Sequence, residues 1–198
     1  MDEVILARHG ESELSVVGTV NGDPATVCAL TAAGREQARL LGERLRDVEI
    51  DLAVTSEFQR ARETAELALE GRNVPRLVVA GLNDVRFGDF EGGTLAAYRD
   101  WASTNEPTIE APGGGESRSG TVLRYVAAYR LILARPERTI LVVAHGLPIR
   151  YVLNALEDQD PTALVEQVAY AEPYRLARPD LERAVERLAA WAAAPAWR

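Results

Sequence analysis

Val4-Ile5-Leu6-Ala7-Arg8-His9-Gly10-Glu11-Ser12 is a short apolar run that stops on arginine, histidine and glycine. Such a run reads as a buried strand, too short for a membrane span or a long helix. Gly10 lets the chain turn sharply where the strand stops. Arg8 and His9 therefore stand together at a strand's end, where ligands bind in open α/β sheets. The chain has only two histidines, and the second repeats the pattern. His145 ends the run Thr139-Ile140-Leu141-Val142-Val143-Ala144, and Gly146 follows it. Two strand-end histidines, each followed by glycine, are expected side by side at one edge of one sheet.

Composition narrows the function. A chain of 198 residues is one domain that can bury a sizeable core without staples. The net charge of −8 argues against a general nucleic-acid or anionic-membrane surface. All 22 basic residues are arginine, which excludes lysine-based chemistry such as a Schiff base or a phosphate-loop lysine. Cys28 is the only cysteine, so no intrachain disulfide forms. It lies in a polar loop without an activating motif and reads as packing, like Trp191. The acidic N-terminus resembles no secretory signal, and no apolar stretch is long enough to span a bilayer. A cytoplasmic protein is expected.

Outward from the first strand, a polar connection over 11–30 carries the turn residues Asn21-Gly22-Asp23-Pro24. Thr31 caps a helix over 32–48 with Ala38, Leu41, Leu45 and Val48 on one stripe. A strand over 51–55 follows, then a helix over 57–70 capped by Thr55-Ser56, then a strand over 76–80. Residues 81–117 hold one short helix, from 95 to about 103, within a glycine-rich, irregular stretch. Loops that long in compact domains are usually functional, so this segment is expected as an insertion covering the active site. Beyond it the pattern gives a helix over 119–134, the His145 strand, and a helix with Pro148 in its first turn. A short helix after Pro161, an edge strand near 168–176 and a helix over 180–191 complete the chain. Alternating strands and helices predict a single α/β domain over 1–198, a three-layer sandwich whose mostly parallel central sheet has helices on both faces.

The polar residues near the strand ends are Arg8, His9, Ser56, Arg60, Asp84 and His145. Arginine forks suit a phosphate dianion, and a helix start adds backbone N–H donors. A zinc site on two histidines is the alternative use, but the adjacent arginine disfavours a cation, so no metal and no cofactor are expected. A neutral imidazole can also attack phosphorus and split a slow hydrolysis into two easier steps.

Five stretches, in order, carry a resemblance to the histidine phosphatase superfamily, also called phosphoglycerate mutase-like. They are Arg8-His9-Gly10-Glu11-Ser12; the segment from Thr55-Ser56-Glu57-Phe58-Gln59-Arg60 through Arg62-Glu63-Thr64-Ala65; Leu82-Asn83-Asp84-Val85-Arg86-Phe87-Gly88-Asp89-Phe90-Glu91-Gly92; Pro112 to Ser117; and Val142-Val143-Ala144-His145-Gly146 with Arg150. The resemblance implies that His9 is phosphorylated and that Arg8, Arg60 and His145 clamp the phosphate. It places the proton donor at Asp84 and substrate contacts at Asn21, Gly22 and Gly146. Arg62 and Glu63 read as solvated helix surface, and Glu11, Asp89 and Glu91 as supporting or turn residues.

The chain departs from the family pattern in three ways. Aspartate stands at Asp84 where glutamate is usual, one methylene shorter. Ser15 stands where many members have asparagine. The mutases carry an arginine directly after the acid and a longer mid-chain insertion, whereas here Val85 follows Asp84 and the chain is short. The last point favours a phosphatase. The expected activity is metal-independent hydrolysis of a small phosphorylated metabolite through a phosphohistidine. The alternatives are a cofactor-dependent phosphoglycerate mutase and a weakly active phosphate-ligand binding protein. Arg86 and Arg118 are candidate partners for a second anionic group, each equally readable as a surface charge. A homodimer is compatible with the sequence, but nothing in it specifies one.

Overall fold

The computed structural model describes residues 1–197. Its centre is one five-stranded sheet: β1 (Glu3–Arg8), β2 (Leu52–Thr55), β3 (Arg76–Val78), β4 (Thr139–Ala144) and β5 (Pro173–Ala177), in the order β3-β2-β4-β1-β5. Four strands run parallel, and β5 closes the β1 edge antiparallel. The sheet is thus mixed but mostly parallel, as the alternating pattern predicts. Arg8 pairs with Ala144, so the residues that follow them, His9 and His145, leave the sheet at the same level. His9 N donates to Ala144 O at 2.9 Å and continues the ladder into the site.

The strands alternate between two cores, as a pleated sheet requires. Ile5, Ala7, Ala53, Leu141 and Val143 face α2 (Ala32–Arg44) and α3 (Gln59–Ala68). Val4, Leu6, Val54, Ile140 and Val142 face α5 (Arg118–Leu133), α6 (Gly146–Leu156) and α7 (Arg178–Ala193). Both faces of the central strands are buried, which is why they read as unbroken apolar runs rather than alternating ones. A third, smaller core joins Val20, Val85, Phe87, Tyr98 and Ala111, with Phe90, Leu95 and Trp101 packed on it. It ties the 81–117 segment, with α4 (Leu95–Thr104), to the loop after β1. No helix among the described residues is long and apolar enough to cross a membrane.

Several elements differ from the sequence pattern. The polar 11–30 connection holds a short helix, α1 (Glu13–Val16). Helix α2 starts on its Thr31 cap but ends at Arg44, and Leu45 and Val48 stay on the core side in the turns beyond. Strand β3 ends at Val78, because the chain then coils into a 3₁₀ turn at Ala80–Leu82. Helix α3 starts at Gln59 with Phe58 at its cap position, so Thr55-Ser56 caps nothing. The helix expected after Pro161 does not form. Its carbonyls bond to side chains instead: Ala163 O accepts from Arg118, Val165 O from Arg99, Glu166 O and Gln167 O from Arg150, and Val168 O from Arg8.

Candidate active site

His9 sits one residue past β1 and is almost fully buried. Its Nδ1 lies 2.7 Å from the Gly10 carbonyl, which can only accept. That contact places the ring proton on Nδ1 and leaves the Nε2 lone pair free of a proton. Nε2 instead accepts from Arg60 Nε at 3.2 Å. Gly10 N donates to Thr64 Oγ1 at 2.9 Å, and Thr64 Oγ1 donates to Arg60 O at 2.7 Å. The turn after His9 is thereby fastened to the helix that carries Arg60. Burial, then the Arg60 and Arg8 charges, holds the His9 pKa well below its usual 6.5.

His145 has no exposed surface. Its ring centroid is 5.3 Å from that of His9 and 4.7 Å from that of Phe58. Nε2 lies 2.9 Å from Ser56 Oγ, while Nδ1 lies 3.3 Å from Arg60 Nη2 and 3.5 Å from Asp84 Oδ2. Burial and the Arg60 charge push this imidazole's pKa well down as well. The two histidines thus share one centre, and both are held neutral.

Arg60 is the hub. Its guanidinium lies 4.2 Å above the Phe58 ring and donates to Asn21 Oδ1 at 2.8 Å, Asn21 O at 3.2 Å and Asp84 Oδ2 at 3.4 Å. Arg8 lies 3.9 Å over the Tyr170 ring and donates to Val168 O and Gln167 Oε1 at 2.8 and 2.9 Å. Its Nε is buried without a partner. Burial lowers the pKa of both guanidinium groups, yet arginine stays protonated across the working range. Asp84 remains partly exposed; its Oδ1 accepts from Val85 N at 3.0 Å.

Arg8, His9, Asn21, Arg60, Asp84 and Gly146 line a cavity of about 620 Å³. His145 and Gly22 lie outside its lining. Gly22 N donates to the Glu91 carboxylate, and a Cβ on Gly22 would meet Val85 O at 2.0 Å. Glu91 also accepts from Phe87 N, and Glu11 accepts from the Thr31 hydroxyl, so both are turn supports. Arg62 is exposed. Glu63 is not solvated surface: it accepts from Arg35 at 2.8 Å and from Leu30 N at 3.1 Å. Arg86 is an exposed charge beside Glu116, whereas Arg118 is buried in the cavity wall. Sequence reasoning assigns no role to Thr64, Gln167 or Tyr170, and only a cap to Ser56. No local signal marks the first three, because they act on residues that are distant in the chain.

Two neutral imidazoles and two guanidinium groups thus converge at the strand ends of a mostly parallel α/β sheet, beside one cavity. The chain belongs to the histidine phosphatase superfamily (branch 1), whose pattern it matches over residues 4–190. It is 34% identical over 149 residues to the adenosylcobalamin/alpha-ribazole phosphatase of Salmonella typhimurium, covering 71% of this chain and 72% of that one. It is 32% identical over 186 residues to a 2,3-bisphosphoglycerate-dependent phosphoglycerate mutase of Gloeobacter violaceus, covering 86% and 83%. Among solved structures it resembles Bacillus stearothermophilus YhfR, with a TM-score of 0.75 and 31% identity over 87% of this chain and 89% of that one. Phosphatase chemistry on a small phosphorylated substrate is what the family and these relatives support.

Proposed function

We propose that this protein hydrolyses a phosphomonoester through a phosphohistidine at His9. The observation that carries the reading is the pair of contacts on His9: Nδ1 at the Gly10 carbonyl and Nε2 at Arg60, on the wall of the cavity. The first fixes the tautomer, and the second puts a positive group beside the attacking atom.

A phosphate dianion entering beside Arg8 and Arg60 displaces the Asp84 carboxylate from Arg60 and His145 and accepts hydrogen bonds on its own oxygens. Its negative charge favours the protonated form of the Asp84 carboxyl. His9 Nε2 then attacks phosphorus, the P–O ester bond breaks, and the Asp84 proton passes to the leaving alkoxide. Arg8 and Arg60 neutralise the charge spread over the equatorial oxygens. In the second half, Asp84 takes a proton from water, the water oxygen bonds to phosphorus and the P–N bond breaks. Inorganic phosphate leaves, and His9 recovers its lone pair. Asn21 keeps Arg60 oriented, and Gly146 lines the cavity next to Arg8.

The mutase relatives favour a second reading, in which phosphate returns to the substrate rather than to water. One assay separates the two. A phosphatase releases inorganic phosphate from p-nitrophenyl phosphate or alpha-ribazole-5′-phosphate without a bisphosphate primer, and His9→Ala abolishes the release. Isomerisation of phosphoglycerate that requires 2,3-bisphosphoglycerate, with little phosphate released, overturns the phosphatase reading.

A further inference from the structure

The cavity lining holds a buried cation that the phosphate chemistry does not use. Arg118, the first residue of α5, is about 5% exposed yet lines the cavity. Among the described residues no carboxylate lies within 4.0 Å of its guanidinium. Its hydrogen bonds go to neutral oxygens only: Tyr151 Oη at 3.0 Å and Ala163 O at 3.3 Å. Two of its five N–H donors are thereby used, and Nε is buried without a partner. The group lies 5.1 Å over the ring of Tyr98, whose hydroxyl is also buried and unbonded. Arg99, on α4 beside Tyr98, lines the same cavity and likewise bonds only a carbonyl, Val165 O.

A buried cation without a counter-charge is costly, and proteins of net negative charge have carboxylates to spare for pairing it. Every other arginine buried to this degree on the cavity wall belongs to the phosphate site: Arg60 is paired with Asp84. The same cavity is also lined by the apolar side chains of Leu14, Val20, Leu95, Leu147 and Val165, with Glu166 as a further lining carboxylate. A molecule that satisfies the cavity's cations carries a phosphate for Arg8 and Arg60, a second oxyanion for Arg118, and apolar surface for the aliphatic lining.

We infer that Arg118, flanked by Arg99 and the Tyr98 hydroxyl, binds a second anionic group of the substrate, a carboxylate or a second phosphate, on the alcohol side of the scissile ester. The inference rests on the phosphomonoesterase reading and narrows its substrate class to doubly anionic phosphomonoesters. Arg118 is a specificity residue here: it touches the remote end of the substrate and not the reacting atoms. Its bond to Ala163 offers a competing, purely structural role as a strut for the 157–172 segment. A strut affects all substrates alike, whereas an anion site affects only those that carry the second charge.

The experiment uses ω-carboxyalkyl phosphates of stepped chain length, each paired with its neutral carboxamide, and the matching α,ω-bisphosphates. For the wild-type protein, kcat/KM at the best length is expected to exceed that of the paired amide tenfold or more, since a charged hydrogen bond out of water carries at least that factor. The carboxylate and bisphosphate arms show which oxyanion the site prefers. In Arg118→Leu the anion-to-amide ratio falls to near unity, and Arg118→Lys restores part of it. A wild-type ratio near unity at every length overturns the subsite, and so does a ratio unchanged in Arg118→Leu. If the leucine variant does not fold, Arg118→Gln and the wild-type ratio decide in its place. Failure of the parent reading is distinct: the wild type then releases no phosphate from p-nitrophenyl phosphate or from any amide.

Discussion

Arg60 Nε and His9 Nε2 face each other across 3.2 Å, so the same guanidinium that would hold the phosphate caps the atom that would attack it. The residue also spans Asn21, Asp84 and His145, and so joins the loop after β1 to the strand-end histidines and to Asp84. Replacing Arg60 by Ala is expected to lower kcat/KM for p-nitrophenyl phosphate by about 10²–10³-fold, the cost of losing a charge-stabilising donor. Inorganic phosphate should weaken as an inhibitor in parallel. Steady-state kinetics with and without phosphate check both, and an unaltered inhibition constant contradicts the assignment.

Asp84 is expected to matter in proportion to how badly the leaving group needs a proton. Asp84→Asn should cut turnover of alkyl phosphates severely and that of p-nitrophenyl phosphate much less, because p-nitrophenolate leaves unaided. Equal losses on the two substrate types would remove Asp84 from the acid role.

Ser56 Oγ is buried and 2.9 Å from His145 Nε2, the one hydrogen-bond contact of that nitrogen among the described residues. Ser56→Ala takes this partner from a fully buried ring nitrogen. The expected destabilisation is about 1–3 kcal/mol in urea titration. Ser56→Thr, which keeps the hydroxyl, should lose less than Ser56→Ala. If Ser56→Ala is neutral, His145 does not depend on this bond for its orientation.

Both imidazoles are held neutral, by burial first and the Arg60 charge second, with pKa values well below the ordinary 6.5. In the unfolded chain they take up protons as the pH falls through about 6.5, while in the folded chain they resist. The unfolded state therefore binds more protons, and stability is lost as the pH falls from about 6.5 toward the depressed folded values. Above that window the contribution is constant. Melting curves at about pH 7.5 and about pH 5.5 should show a drop in Tm that is smaller in His9→Gln, which cannot titrate there. Equal drops in the two proteins contradict the buried-neutral description.

Gly34 lies in the first turn of α2, where Ala is ordinarily the better helix residue by roughly 0.5–1 kcal/mol. Here a Cβ would meet Glu11 O at 1.9 Å, because α2 packs its backbone directly against the turn after His9. Gly34→Ala is therefore expected to destabilise by about 1–3 kcal/mol and to disturb the His9 turn. A stabilised Gly34→Ala variant would show that the turn has room to move.

How much of this was legible in the residues follows from range. The strands that carry His9 and His145 read directly, because buried parallel strands are unbroken apolar runs. Thr31 and α2 read well because a cap and a stripe are local signals. Position 56 misled for a physical reason: a serine after a strand looks like a cap, but this one spends its hydroxyl on a histidine 89 residues away. The helix expected after Pro161 failed similarly, since the carbonyls of 163–168 are claimed by Arg118, Arg99, Arg150 and Arg8 from elsewhere in the chain. Glu63 looked like helix surface because nothing local reveals that Arg35 and Leu30 N fold over it. Motif order brought His9, Arg60, Asp84 and His145 together on paper, and the coordinates put them within one hydrogen-bonded cluster. The burial of Arg118 had no sequence signal at all.

The most direct test of the central claim is the mass of the intact protein, quenched in alkali within the first turnovers of p-nitrophenyl phosphate and then fragmented. One added phosphoryl group on His9, labile in acid and absent from His9→Ala, is expected. Full turnover with no phosphorylated protein at any quench time, or the phosphoryl group on another residue, contradicts it.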